Sequence, residues 1–117
     1  DDREVTVSRS RKSLSKERTF RENIDDVDWL MNVLRKLRSE VEEAVKHKSS
    51  QEIKSRVVKL KFEDFTQTTA EKAGREMDET VYRELLGLAW SRGEGKAVRL
   101  LGVGVKFEDE ESQLDLL

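Results

Sequence analysis

The chain has 117 residues, 25 of them acidic and 23 basic, for a net charge of −2. That length builds one domain with a modest core and not two. With no cysteine there is no disulfide framework, thiolate metal site or cysteine nucleophile, which suits a reducing compartment; no apolar run approaches the roughly 20 residues of a membrane span, and no signal peptide is visible.

Residues 1–12 read as a charged polar connector in which only Val5 and Val7 are apolar. The chain starts at Asp1 without a methionine, so a fragment of a longer protein is expected. Ser13–Phe20 alternates weakly, with Leu14 and Phe20 as anchors of a first strand. An Asp/Asn-rich break follows at Asn23–Asp28, and Asp25 or Asp26 is a good helix N-cap. Trp29, Leu30, Val33, Leu34, Leu37, Val41, Ala44 and Val45 then recur at three- and four-residue steps. This predicts an amphipathic helix of about five turns, with charged residues such as Arg35, Arg38 and Glu42 outside.

Gln51–Phe62 is the second predicted strand. Val58, Leu60 and Phe62 point one way; Val57, Lys59 and Lys61 point the other. Glu63-Asp64 forms a turn, and Phe65 to about Lys72 is a third, Thr-rich strand. Asp78 should cap a second helix reaching about Trp90, with Val81, Tyr82, Leu85, Leu86, Leu88, Ala89 and Trp90 buried. Gly93-Glu94-Gly95 is a turn. Val98–Val105 is the last strand, with a bulge expected near Leu100-Leu101-Gly102 that leaves the face of Arg99 open. Trp29 and Trp90 fall at core spacing. The order β-α-β-β-α-β predicts an α+β fold: a four-stranded antiparallel sheet with two helices on one face and the other face open.

The charge is segregated along this chain. Arg9, Arg11, Lys12, Lys16, Arg18 and Arg21 have only Glu17 among them, and Lys54, Arg56, Lys59 and Lys61 form a second basic cluster. Arg92, Lys96 and Arg99 form a third, while acids collect at Asp1–Glu4, Glu22–Asp28, Glu40–Glu43 and Glu108–Asp115. A globally acidic chain can therefore present one positive face. Lys59, Lys61, Thr66 and Thr68 are assigned to the open sheet face, with few acids among them. Ammonium and hydroxyl donors without exposed aromatics suit a phosphate backbone and not base stacking.

Nothing else in the chain suggests catalysis. His47, the only histidine, sits between Lys46 and Lys48 at a helix end and reads as an exposed last-turn residue. Asp25-Asp26 and Glu42-Glu43 are explained by cap and surface duty. Gly102 and Gly104 lie inside a strand, whereas a phosphate loop needs glycines between a strand and a helix.

Three motifs carry a family resemblance: Arg11-Lys12-Ser13 with Glu17-Arg18-Thr19-Phe20, Lys59–Thr69, and Val98–Val103. In this order and spacing, from about Arg9 to the end, the chain resembles the little finger domain of Y-family translesion DNA polymerases. That family has the βαββαβ fold and contacts duplex phosphates in the major groove with its sheet. The resemblance implies DNA-binding roles for Arg11, Lys12, Ser13, Ser15 and Arg18. It implies the same for Lys59, Lys61, Thr66, Gln67, Thr68, Thr69 and Arg99. It implies a basic linker at residues 1–12, the domain at 13–108 and a tail at 109–117.

In the tail, Gln113, Leu114, Asp115, Leu116 and Leu117 resemble the peptide with which such polymerases grip the sliding clamp. The last position is Leu where Phe is common. The family's catalytic carboxylates, which hold magnesium, belong to a palm domain expected before Asp1. No catalytic residue, metal or cofactor is therefore expected in this fragment, whose parent would be a DNA-directed DNA polymerase. The implied partners are primer–template DNA and the clamp, bound by a monomer in the bacterial cytoplasm at the nucleoid. Two alternatives remain on the residues alone: a small βαββαβ module for RNA or protein, and a ferredoxin-like enzyme such as a phosphatase. The second needs a phosphate-cradling loop, which is not found.

Overall fold

The structure, a computed structural model, describes residues 13–48 and 52–108. The connector with Arg11 and Lys12, and the tail with Gln113–Leu117, lie outside the described residues. The elements follow the predicted order: β1 (Ser13–Ile24), α1 (Val27–Lys48), β2 (Ile53–Phe62), β3 (Gln67–Ala73), α2 (Glu79–Ser91) and β4 (Val98–Phe107). The sheet runs β1-β4-β2-β3, and each neighbouring pair is antiparallel. It follows that β1 and β2 are parallel with β4 between them, and β3 and β4 are parallel with β2 between them. Each strand–helix–strand crossover therefore skips one strand. The β2 and β4 strands end up central, and they carry the longest apolar runs on the helix side, Val58–Leu60–Phe62 and Leu101–Val103–Val105–Phe107.

Strand alternation puts Val58, Leu60 and Phe62 of β2 beneath the helices, each fully buried. Leu101, Val103, Val105 and Phe107 of β4 and Ala70 of β3 join them. Burial of a side chain of this size contributes about 1.5–3 kcal/mol.

The first helix begins where Asp26 Oδ1 accepts the amides of Asp28 and Trp29, at 3.0 and 3.2 Å. Leu30, Val33, Leu34, Leu37 and Val41 form its buried stripe. Trp29 does not belong to the core: it is 41% exposed, and its ring packs edge-on against Phe20 at 5.4 Å. It stands in the first helical turn, before the helix has closed onto the sheet.

Asp78 occupies the N-cap position of α2 but makes no side-chain cap bond. Tyr82, Leu85, Leu86 and Ala89 are buried, while Leu88 is 47% exposed, contrary to expectation. The seven apolar residues predicted for this helix span more than one face, so Leu88 is left outside. Tyr82 ties helix to sheet by donating its hydroxyl to the Gly104 carbonyl at 2.9 Å. Burial pushes this phenol well above its usual range.

Arg56 is also inside. It was grouped with the surface cations, yet it is 5% exposed. It donates to Lys72 O at 3.2 Å, to Ala73 O at 3.1 Å and to Glu76 O. The guanidinium thereby ties the end of β3, through Lys72 and Ala73, to Glu76 of the connector that leads to α2. Gly74 makes room for it: a Cβ there would lie 2.5 Å from Arg56 Nη2, and its φ of +146° is poorly open to other residues.

The β2–β3 turn is held by Asp64, whose Oδ1 accepts from the amide of Thr66 at 3.1 Å and its hydroxyl at 2.6 Å. Lys96 Nζ stands 3.0 Å from the other oxygen. The Thr66 bonds first, and then Lys96, hold the Asp64 carboxyl down at about 2. Phe65 takes the left-handed conformation at φ 71° and is 63% exposed. It therefore belongs to the turn and not to β3.

Candidate nucleic-acid interface

The face away from the helices follows from the register. Ser15–Gly104–Val57–Glu71 forms one cross-strand row, and Glu17–Gly102–Lys59–Thr69 the next. Thr19–Leu100–Lys61–Gln67 is a third, and Ser13–Lys106–Ser55–Ala73 closes the other end. Ser13, Ser15, Lys59, Lys61, Gln67 and Thr69 thus stand on one open surface, as the strand alternation predicts for Lys59 and Lys61.

Arg18 does not join them. Its register partner is Leu101, a core residue, so it leans to the helix side of the edge strand. There it lines a groove with Phe20, Arg21 and Trp29. Thr68 is also corrected: its hydroxyl donates to Ala89 O of α2 at 2.9 Å, which places it beneath a helix. Thr66 lies in the turn, bonded to Asp64. Arg99 is the extra residue of a bulge, because β4 takes two steps from Val98 to Leu100 while β2 takes one, from Phe62 to Lys61. The bulge is one residue earlier than expected. It brings the Arg99 guanidinium over the Phe65 ring, 4.5 Å from its centroid. The donors thus divide into an open-face set, a turn with Arg99 beside it, and two residues on the helix side.

Acids are more prominent on the open face than expected. Glu17 Oε2 is 2.6 Å from Lys59 Nζ, and Glu71 Oε1 is 3.0 Å from Lys106 Nζ. Ser55 donates to the second Glu71 oxygen at 2.6 Å. Bonds from Ser55 first and Lys106 second hold the Glu71 carboxyl below its usual range. Glu17, Ser55, Glu71 and Lys106 were all missed. Their signal was the alternation itself: Leu14 and Phe20 turn inward, so Glu17, of the other parity, turns outward and Arg18 does not.

Gly102 and Gly104 leave the middle of β4, between Leu100 and Lys106, without side chains on this face. Between β1 and β2 this opens a hollow of about 160 Å³, rimmed by Ser13, Ser15, Glu17, Lys59 and Lys106. A Cβ on Gly102 would sit 3.3 Å from Glu17 Cγ and 3.5 Å from Lys59 Cε. The missing side chain is what lets these two residues meet across the strand.

The described residues hold no group of three His, Cys, Asp or Glu able to bind a metal. The acidic pairs have other tasks: Asp26 caps α1, Glu42 accepts from Arg38 at 3.2 Å, and Glu43 meets exposed His47 at 3.3 Å. No described helix is long and apolar enough to cross a membrane.

Residues 11–116 match the impB/mucB/samB family C-terminal domain. The solved structure described as "Complex of beta-clamp processivity factor and little finger domain of PolIV" superposes with a TM-score of 0.76 at 31% identity. The match covers 83% of this chain and 89% of that one.

The chain belongs to the little finger domain family of Y-family DNA polymerases.

Among curated relatives, DNA polymerase IV of Ectopseudomonas mendocina is 42% identical over 120 residues, covering 99% of this chain and 34% of that protein. DNA polymerase IV of Pseudomonas entomophila is 42% identical over 110 residues, covering 93% of this chain and 31% of that protein. The little finger chain therefore spans about a third of the length of these relatives.

Proposed function

We propose that this little finger is the C-terminal DNA-binding accessory domain of an error-prone, lesion-bypassing DNA polymerase. Its open sheet face lies along duplex DNA in the major groove. Lys59, Lys61, Ser13, Ser15, Gln67 and Thr69 contact phosphates there without reading sequence. Arg11 and Lys12 of the linker, Arg18 on the first strand's outer edge, Thr66, Thr68 and Arg99 belong to the same proposed set. For Thr68 the contact runs through its main chain, because its hydroxyl is taken. Synthesis itself, with its magnesium ions, lies in a palm domain elsewhere in the parent polymerase, which works in the cytoplasm at the nucleoid.

The observation that carries this reading is the sheet face that no other described element covers. Two helices bury one side of the sheet, while the other carries hydroxyl, amide or ammonium donors in each of its cross-strand rows, with Glu17 and Glu71 among them. Gln113–Leu117 docks the domain, as a monomer, on the sliding clamp. The support is the peptide's pattern together with the clamp named in the description of the related little finger.

The test is fluorescence anisotropy of labelled duplexes over a salt series. Converting Lys59 and Lys61 together to Glu should weaken binding for all sequences alike and flatten the log–log salt slope. Unchanged affinity would sink the sheet-face model. Deleting Gln113–Leu117 should abolish clamp binding and spare DNA binding; a surviving clamp complex would refute the peptide assignment.

A further inference from the structure

We propose that Glu17 and Glu71 are built-in counter-anions of the open face. They occupy Lys59 and Lys106 until a phosphodiester strand enters the Gly102–Gly104 trench and displaces them. This deepens the DNA-binding reading and rests on it.

The geometry points this way at each step. Glu17 and Lys59 share one cross-strand row on either side of Gly102, and they close over that glycine at 2.6 Å. Lys106 and Glu71 reach each other across β2 at the other end of the trench, at 3.0 Å. Of the three lysines on the face, only Lys61 stands outside the ion pairs among the described residues. A phosphate approaching the free domain therefore meets a nearly neutral surface.

The pairs are nonetheless able to open. Glu17 and Lys59 are 42% and 33% exposed, and Glu71 and Lys106 are 38% and 50% exposed. Exposed pairs of this kind contribute little and are screened by salt. A DNA phosphate brings more, because each lysine it neutralises releases a condensed counterion. The trench also keeps the hydroxyls of Ser13 and Ser15 at its rim, as neutral donors beside the incoming oxygens. Glu71 is tied by Ser55 as well as by Lys106, so Glu17 is the readier of the two to yield. The consequence is a face that ignores isolated anions and grips only a strand presenting several phosphates at once.

The experiment uses the 117-residue chain and labelled random-sequence duplex in a potassium chloride series. Glu17→Gln should bind roughly five- to tenfold tighter near 0.1 M salt, with a slope steeper by about 0.9. In a Lys59→Gln background the same substitution should give no gain. Glu71→Gln should tighten binding in the same direction through Lys106. Thermal unfolding confirms the fold, and Glu17→Thr, suited to an edge strand, replaces Glu17→Gln should that variant not fold.

Three outcomes overturn the proposal. Unchanged or weaker binding by Glu17→Gln, with Lys61→Gln still weakening the wild type, removes the counter-anions and leaves the DNA face. A gain that persists without Lys59 means bulk charge and not displacement. If neither Lys61→Gln nor Glu17→Gln alters binding, the DNA reading fails and takes this proposal with it.

Discussion

Arg56 and Lys59 stand three residues apart on β2 and differ in what surrounds them. Arg56 points beneath the helices, is 5% exposed and donates to three carbonyls. Lys59 points to the open side, where a carboxylate and solvent share it. The same strand thus uses one cation as an internal staple and another as a surface charge. Buried, a guanidinium must satisfy all its donors or cost free energy; exposed, an ammonium can exchange partners at little cost. Parity along the strand, and not residue type, decides which role a cation takes.

The contrast between the two faces can be broken most forcefully from the core. Phe62→Ala should cost about 3–5 kcal/mol in denaturant unfolding, because Phe62 is fully buried, with its ring against Gly93 just beyond α2. A loss below 1 kcal/mol would show that the helix side is not sealed. Next is Arg56→Met, which keeps the bulk and strands three carbonyls. It should cost about 3 kcal/mol and leave the salt slope of DNA binding unchanged. A shallower slope would move Arg56 to the binding surface. Trp29→Ala should cost only about 1–2 kcal/mol, since the ring is half exposed and touches the core through Phe20. Stability loss as large as that of Phe62→Ala would return it to the core.

The smallest effect is electrostatic. Asp64 has its folded pKa lowered to about 2 from an ordinary 3.8. Its contribution is therefore complete above the ordinary value and is lost as pH falls from about 4 toward 2. Asp64→Asn should flatten that part of the curve of melting temperature against pH, and an identical acid limb in both proteins would show that the carboxylate does not hold the turn.

Much of this was legible along the chain. Element order and type follow from period: three- and four-residue steps for α1, strict alternation for β2, and Asp26 as a local cap. Residues 58, 60 and 62 against 57, 59 and 61 already separate two faces. Errors came where a residue type outweighed its parity. Thr68 shares parity with buried Ala70, and Arg18 with Leu14 and Phe20, so both belong to the helix side. Trp29 and Leu88 fit a helical period but lie at the margin of the stripe, where only the packing angle of the helix decides exposure.

By itself, the order of residues determined the elements, the apolar side of each and the local caps and turns, because these depend on neighbours within about four positions. Only the tertiary structure decided the strand order β1-β4-β2-β3, and with it which side chains meet across strands. Glu17 and Lys59 are 42 residues apart in the sequence (59 minus 17), and no period links them. They meet because β4, placed between their strands, carries Gly102 at that row and leaves the way across open.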